Sequence, residues 1–130
     1  EELCGLPARE LRLETATGLQ FSPKELRAKA GERLRLTFAN PDTMAHNFVL
    51  TTPGGIELVY EAANRMANAV DAHARHYAPD MPEVLCHSRV MNPGASSILT
   101  FEAPKTPGRY PYLCTLPGHG QMMRGVLVVE

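Results

Sequence analysis

An all-β fold, a sandwich or barrel of seven or eight short strands with one helical insertion, is what this 130-residue sequence predicts. Three observations carry that expectation. Polar and apolar residues alternate over short runs, as in Arg33-Leu34-Arg35-Leu36-Thr37-Phe38, the period of a strand with one face on a core. Turn formers separate the runs at Pro23, Gly31, Asn40-Pro41-Asp42, Pro53-Gly54-Gly55, Asn92-Pro93-Gly94 and Pro107-Gly108, a spacing suited to a sandwich or barrel. Only one stretch, Ile56 to about Tyr77, exchanges the two-residue period for a 3.6-residue one.

Taken in order, Leu11 to Leu13 and Gln20 to Phe21 are short and half polar, and Arg33 to Phe38 alternates strictly. His46 to Thr51 is apolar and rich in β-formers. From Ile56 onward, Val59, Ala62, Ala63, Met66, Ala69 and Val70 fall on one helical stripe in an Ala-rich segment. This reads as a helical flap over about residues 56–77, inserted between strands and laid against the sandwich. Ile98 to Phe101, Tyr110 to Leu113 and Val126 to Val129 supply the remaining strands. There are no internal repeats and no low-complexity tracts, so residues 1–130 read as one domain.

Composition narrows the function classes. The 13 Lys+Arg nearly balance the 14 Asp+Glu, which gives no basis for nucleic-acid or membrane-surface binding. No window approaches the roughly 18 apolar residues of a transmembrane helix. The chain starts at Glu1 without a signal-like segment, as expected of a processed mature protein or of a domain cut from a longer chain.

The chemistry concentrates in the tail. Cys114-Thr-Leu-Pro-Gly-His119-Gly-Gln-Met122-Met123 puts a thiolate, an imidazole and thioethers within ten positions, between two apolar runs. Soft sulfur with imidazole selects copper, and two His, one Cys and a long axial Met form the mononuclear electron-transfer arrangement. Pro117-Gly118 turns the chain so that His119 comes back beside the thiolate. The missing histidine is His46, which follows the loop Asn40 to Ala45 at the start of an apolar run, where a loop-built site needs a ligand. Either Met122 or Met123 could complete the set. Zinc could use the same nitrogens and thiolate but rarely takes a thioether.

Of the remaining histidines, His73, His76 and His87, the first two stand three apart, as a second metal clip or, since no Cys or carboxylate constellation accompanies them, as solvated surface residues. With Cys114 assigned to metal, Cys4 and Cys86 are left either to pair as a disulfide, implying an oxidising compartment, or to leave Cys86 as a buried free thiol.

Several stretches together resemble the cupredoxins, most of all their azurin branch. They are Met44-Ala-His46-Asn47-Phe-Val-Leu50, Pro79 to Val90 with Cys86-His87-Ser88, Ser97 to Phe101, and Tyr110 to Val129. The resemblance implies an eight-stranded Greek-key sandwich, one type 1 copper and single-electron transfer in the periplasm or another extracytoplasmic space. It implies that His46, Cys114 and His119 are the equatorial ligands. The four-residue step from His119 picks Met123 as the axial one, and Met122 falls where azurin has an exposed apolar residue near the metal. The family's second, weaker axial contact comes from the carbonyl preceding the first His. Here that residue is Ala45 rather than glycine, and its Cβ restricts the backbone.

The resemblance also implies that Asn47 ties the His46 loop to Thr115, and that the amides of Asn47 and Leu116 hydrogen-bond the thiolate. Met44, Leu116, Pro117, Gly118 and Met122 would form an apolar patch around His119 for brief docking to redox proteins such as c-type cytochromes or a copper or haem reductase. An electron-entry domain of a larger redox enzyme and a copper-carrying or copper-sensing module are the alternatives. Leu113-Cys114-Thr115 lacks the His-Cys-His run of multicopper oxidases, so no catalytic role of the chain itself is expected.

Overall fold

The computed structural model describes residues 8–130. These residues form two facing sheets with one helix packed at the side. The strands are β1 (Arg9–Ala16), β2 (Gln20–Ser22), β3 (Glu25–Ala28), β4 (Arg33–Ala39), β5 (Val49–Thr51), β6 (Val84–His87), β7 (Ser96–Glu102), β8 (Gly108–Leu113) and β9 (Arg124–Val129). Helix α1 (Ile56–Met66) lies between β5 and β6. One sheet has the order β2-β1-β4-β7 and the other β3-β9-β8-β5-β6. The pairs β1–β4 and β3–β9 are parallel, and the remaining pairs are antiparallel.

Among the described residues there are nine strands rather than eight, for a local reason. The chain pairs with β1 as β2, passes Pro23-Lys24 and then pairs with β9 as β3. Proline has no N–H to give a ladder, so the strand divides there and changes sheet.

Alternation builds the core as the sequence implies. In β4 every second residue, Leu34, Leu36 and Phe38, is buried. Between the sheets Phe21 meets Tyr112 edge-on at 5.1 Å between ring centroids, and Phe48 lies 5.2 Å from Tyr112, separations favourable for aromatic pairs. Gly125 faces that tyrosine across the β8–β9 pair. A Cβ at Gly125 would collide with the Tyr112 ring, so the position excludes a side chain.

Strand β5 is buried along its whole length. One face meets the main core through Leu50. The other is covered by α1, where Val49 and Leu113 cluster with Val59 and Ala78. That double cover explains why the run after His46 is continuously apolar rather than alternating.

Two expected boundaries differ. The regular helix ends at Met66 rather than near Tyr77, and residues 67–77 continue as successive turns. Val59 and Ala63 are buried, whereas Ala69 and Val70 are exposed. The apolar stripe thus runs past the surface that could receive it, and packing rather than propensity sustains most helices. His46 precedes β5 instead of opening it, held in an isolated antiparallel bridge to Met91. Cys4 lies outside the described residues. Among the described residues Cys86 has no disulfide partner; it is half-buried, and burial pushes its thiol up to about 12.

Candidate metal centre

Two loops at one end of the sandwich meet over the core. The first follows β4. Asn40, buried, donates from Nδ2 to the carbonyls of Met44 (2.9 Å) and Met91 (2.8 Å), and its Oδ1 accepts from the Thr15 hydroxyl (2.7 Å). The Met91 carbonyl also accepts the His46 N–H at 3.1 Å, and Met91 N–H returns to the His46 carbonyl at 2.7 Å. His46 is thereby fixed at both backbone groups, and its side chain is fully buried.

The second loop joins β8 to β9. Its ends are tied by the Cys114 N–H donating to the Met123 carbonyl at 3.1 Å. Between them, His119 N–H bonds the Leu116 carbonyl (3.0 Å) and Met123 N–H the His119 carbonyl (3.0 Å), giving consecutive tight turns. Gly118 takes φ +83°, a conformation that disfavours a side chain.

These loops bring three donor atoms together. His46 Nδ1 lies 3.8 Å from Cys114 Sγ, His119 Nδ1 lies 3.5 Å from it, and all three atoms fall within 4.8 Å of one another. Nitrogen and thiolate sulfur sharing one ion at about 2.0 and 2.3 Å stand roughly 3.8 Å apart in trigonal geometry. The donor set therefore fits a single soft-to-borderline metal ion. Met123 is fully buried in the same cluster as Cys114, whereas Met122 is 69% exposed. Ala45, beside His46, is half-buried.

Around the donors, Asn47 joins the two loops. Its Nδ2 donates to Thr115 Oγ1 (2.8 Å), and its Oδ1 accepts Thr115 N–H (2.7 Å). The region after α1 adds two further partners. Asn47 Nδ2 also reaches the His76 carbonyl (2.8 Å), and the Thr115 hydroxyl donates to the Tyr77 carbonyl (2.6 Å). His76 and Tyr77 both have positive φ, 57° and 54°. His76 is thus not a free surface residue: its Nδ1 accepts the Val90 N–H at 3.2 Å. His73 and His87 are exposed, and neither belongs to a metal-binding group among the described residues. The contribution of His76 and Tyr77 through backbone carbonyls leaves no mark in the sequence.

Asp42 is a second residue that sequence reasoning passed over. Its Oδ2 accepts the His46 Nε2–H at 2.8 Å. Only the Asn40-Pro41-Asp42 turn signal, four residues before His46, hints at it. That hydrogen bond, followed by one from Thr43 N–H, holds the Asp42 carboxyl below its ordinary value.

Burial pushes the Cys114 thiol up to about 11, although the amides of Asn47 and Leu116 act on its sulfur in the opposite direction. At neutral pH the metal-free site therefore holds a thiol. A metal ion would displace its proton. His119 is held below its ordinary value, first by burial and then by neighbouring His46, with Asp42 opposing. Burial thus disfavours the doubly protonated imidazolium, the form with no lone pair to ligate a metal.

Residues 9–130 match the family model of copper binding proteins of the plastocyanin/azurin type. This chain is a member of that family. Copper is therefore its cofactor. Auracyanin-B of Chloroflexus aurantiacus is 34% identical over 129 residues, 95% of this chain and 53% of that sequence. Auracyanin-A of the same organism is 36% identical over 116 residues, 86% of this chain and 68% of that sequence. Azurin of Pseudomonas aeruginosa is 30% identical over 91 residues, 68% of this chain and 59% of that sequence. This cupredoxin thus spans about half the length of auracyanin-B, at 53%. Among solved structures, auracyanin A, a blue copper protein from the green thermophilic photosynthetic bacterium Chloroflexus aurantiacus, superposes with a TM-score of 0.83 at 29% identity. The match covers 95% of this chain and 100% of that one. The two mixed sheets are accordingly a cupredoxin sandwich.

Proposed function

We propose that the chain carries single electrons between redox partners through one type 1 copper, which His46, Cys114, His119 and Met123 would hold. The convergence of two imidazole Nδ1 atoms and one cysteine sulfur within 4.8 Å, in a member of a copper-binding family, carries this reading. Copper supplies the one-electron capacity by alternating between Cu(II) and Cu(I).

The residues of the chain supply the rest. Cys114 gives the anionic sulfur, and the Asn47 and Leu116 amides acting on it spread its charge. The bridge at His46 and the Asn47–Thr115 pair keep the ligands in place through both oxidation states, which limits rearrangement. His119 is half-buried, with exposed Pro117, Gly118 and Met122 and half-buried Leu116 in the same loop, and exposed Met44 two residues before His46. We assign this small apolar patch as the docking face for transient partners such as c-type cytochromes or a copper or haem reductase. The chain is read as a carrier, not an enzyme, working in the periplasm or a comparable extracytoplasmic space. No helix among the described residues is long and apolar enough to cross a membrane.

The deciding experiment is copper loading. One Cu(II) per chain should produce an intense thiolate-to-copper visible band, and Cys114→Ser should abolish it. A loaded protein without colour overturns the type 1 assignment.

A further inference from the structure

The Asp42 carboxylate meets the far side of the His46 ring, away from the donor atoms. Its distance to Nε2 is 2.8 Å, and its side chain is only 7% exposed beside a fully buried imidazole. We propose that Asp42 is an electrostatic positioning residue for His46. It fixes the ring with Nδ1 toward Cys114 and lowers the reduction potential of a copper held there. The proposal rests on the copper reading above and extends it.

The tautomer follows from the contact. A carboxylate accepts, so Nε2 must carry the hydrogen, leaving the Nδ1 lone pair free to ligate. The carboxylate is itself well fixed. Its Oδ1 accepts Thr43 N–H at 2.7 Å, and Asp42 N–H donates to Asn40 Oδ1 at 3.1 Å. Asn40 also holds the Met44 and Met91 carbonyls, so one buried side chain sets both the carboxylate and the bridge that bears His46.

The electronic consequence is directional. A negative charge hydrogen-bonded to a ligating imidazole raises the ring's basicity and favours the more positive oxidation state. Away from bulk water that charge is weakly screened. Partners in this outer position typically change metal affinity by 10- to 100-fold. Asparagine is the informative replacement, because its amide oxygen can still accept the Nε2 hydrogen while the charge is gone.

The test uses the whole chain loaded with copper. Asp42→Asn should keep the visible band and reduce the ratio of Cu(II) to Cu(I) affinity by about tenfold. For a one-electron couple that is a rise of about 59 mV. Asp42→Ser provides a second neutral variant should the asparagine protein fold poorly, and it should move the potential the same way. Asp42→Glu retains the charge and should shift the potential least. An unchanged or lowered potential in the neutral variants, with the band intact, overturns the proposal and leaves the copper reading standing. A parent protein without the band overturns the copper reading instead.

Discussion

At the scale of single residues, Met122 and Met123 are chemically identical neighbours with opposite environments, 69% and 0% exposed. Met123→Leu, by removing the thioether from the buried cluster, should raise the reduction potential. Met122→Leu should leave spectrum and potential unchanged and slow only exchange with a partner. Voltammetry and visible spectra of the two variants check this, and the opposite pattern would make Met122 the axial ligand. The approach of His119 to Cys114 was legible in the sequence because their spacing is local, so the loop largely dictates proximity, whereas the choice of Met123 over Met122 came from the family resemblance and not from the residues. His46 was found through the chemical need for a second imidazole. Asp42 was not legible, because its role depends on the 40–45 loop folding back onto the ring, which no spacing rule encodes. The Asn47–Thr115 pair was implied by family resemblance. The His76 and Tyr77 carbonyls that complete it were not, since every residue has a carbonyl.

At the scale of elements, helix α1 braces the ligand loop. Arg124 stacks over Tyr60 of α1 at 5.3 Å, pairs with Glu57 at 2.6 Å, and donates from Nε to the Gly120 carbonyl at 2.7 Å. A Cβ at Gly120 would lie 2.8 Å from Tyr60 Cδ1 and 2.9 Å from the Cys114 carbonyl. Gly120→Ala should therefore cost about 1–3 kcal/mol and perturb the copper band as well, because the same atom presses on helix and ligand strand. Chemical denaturation and the visible spectrum would measure both effects. A variant with parental stability and colour would show that the loop is not braced as described. The strands hardest to read were β3 and β6, four residues each and partly exposed, too short for periodicity to stand out. The helix was overextended for the opposite reason. Its apolar period persists past Met66, but Val70 has no surface to cover.

For the whole molecule, stability of the metal-free protein should decline on acidification. His119 is held below 6.5, so the unfolded chain takes up that proton first. This contribution is full above about 6.5 and is lost as pH falls toward the lowered folded value. Asp42, held below 3.8, adds a later loss of the same sign, retained above that value and removed beneath it. Thermal midpoints of the metal-free protein should be lower at about pH 5.5 than at about pH 7.5, with a smaller difference in His119→Gln. A midpoint that rises on acidification would contradict the assignment.

The positions of the loops give the molecule two unlike ends. His46, Cys114, His119 and Met123 gather where β8 ends. At the start of β8 the sandwich closes with Gly31 N–H on the Pro104 carbonyl at 3.2 Å and Ala103 N–H on the Glu32 carbonyl at 2.8 Å. The strand between these ends is about 20 Å long, so on the proposed electron-carrying reading an electron leaving by the far end would have to cross that whole span. On that reading one end is a terminal and the other an insulator. Fastened to an electrode by the Gly31–Lys105 end, the protein would offer its terminal to soluble partners. Fastened beside Pro117, it would pass its electron into the support.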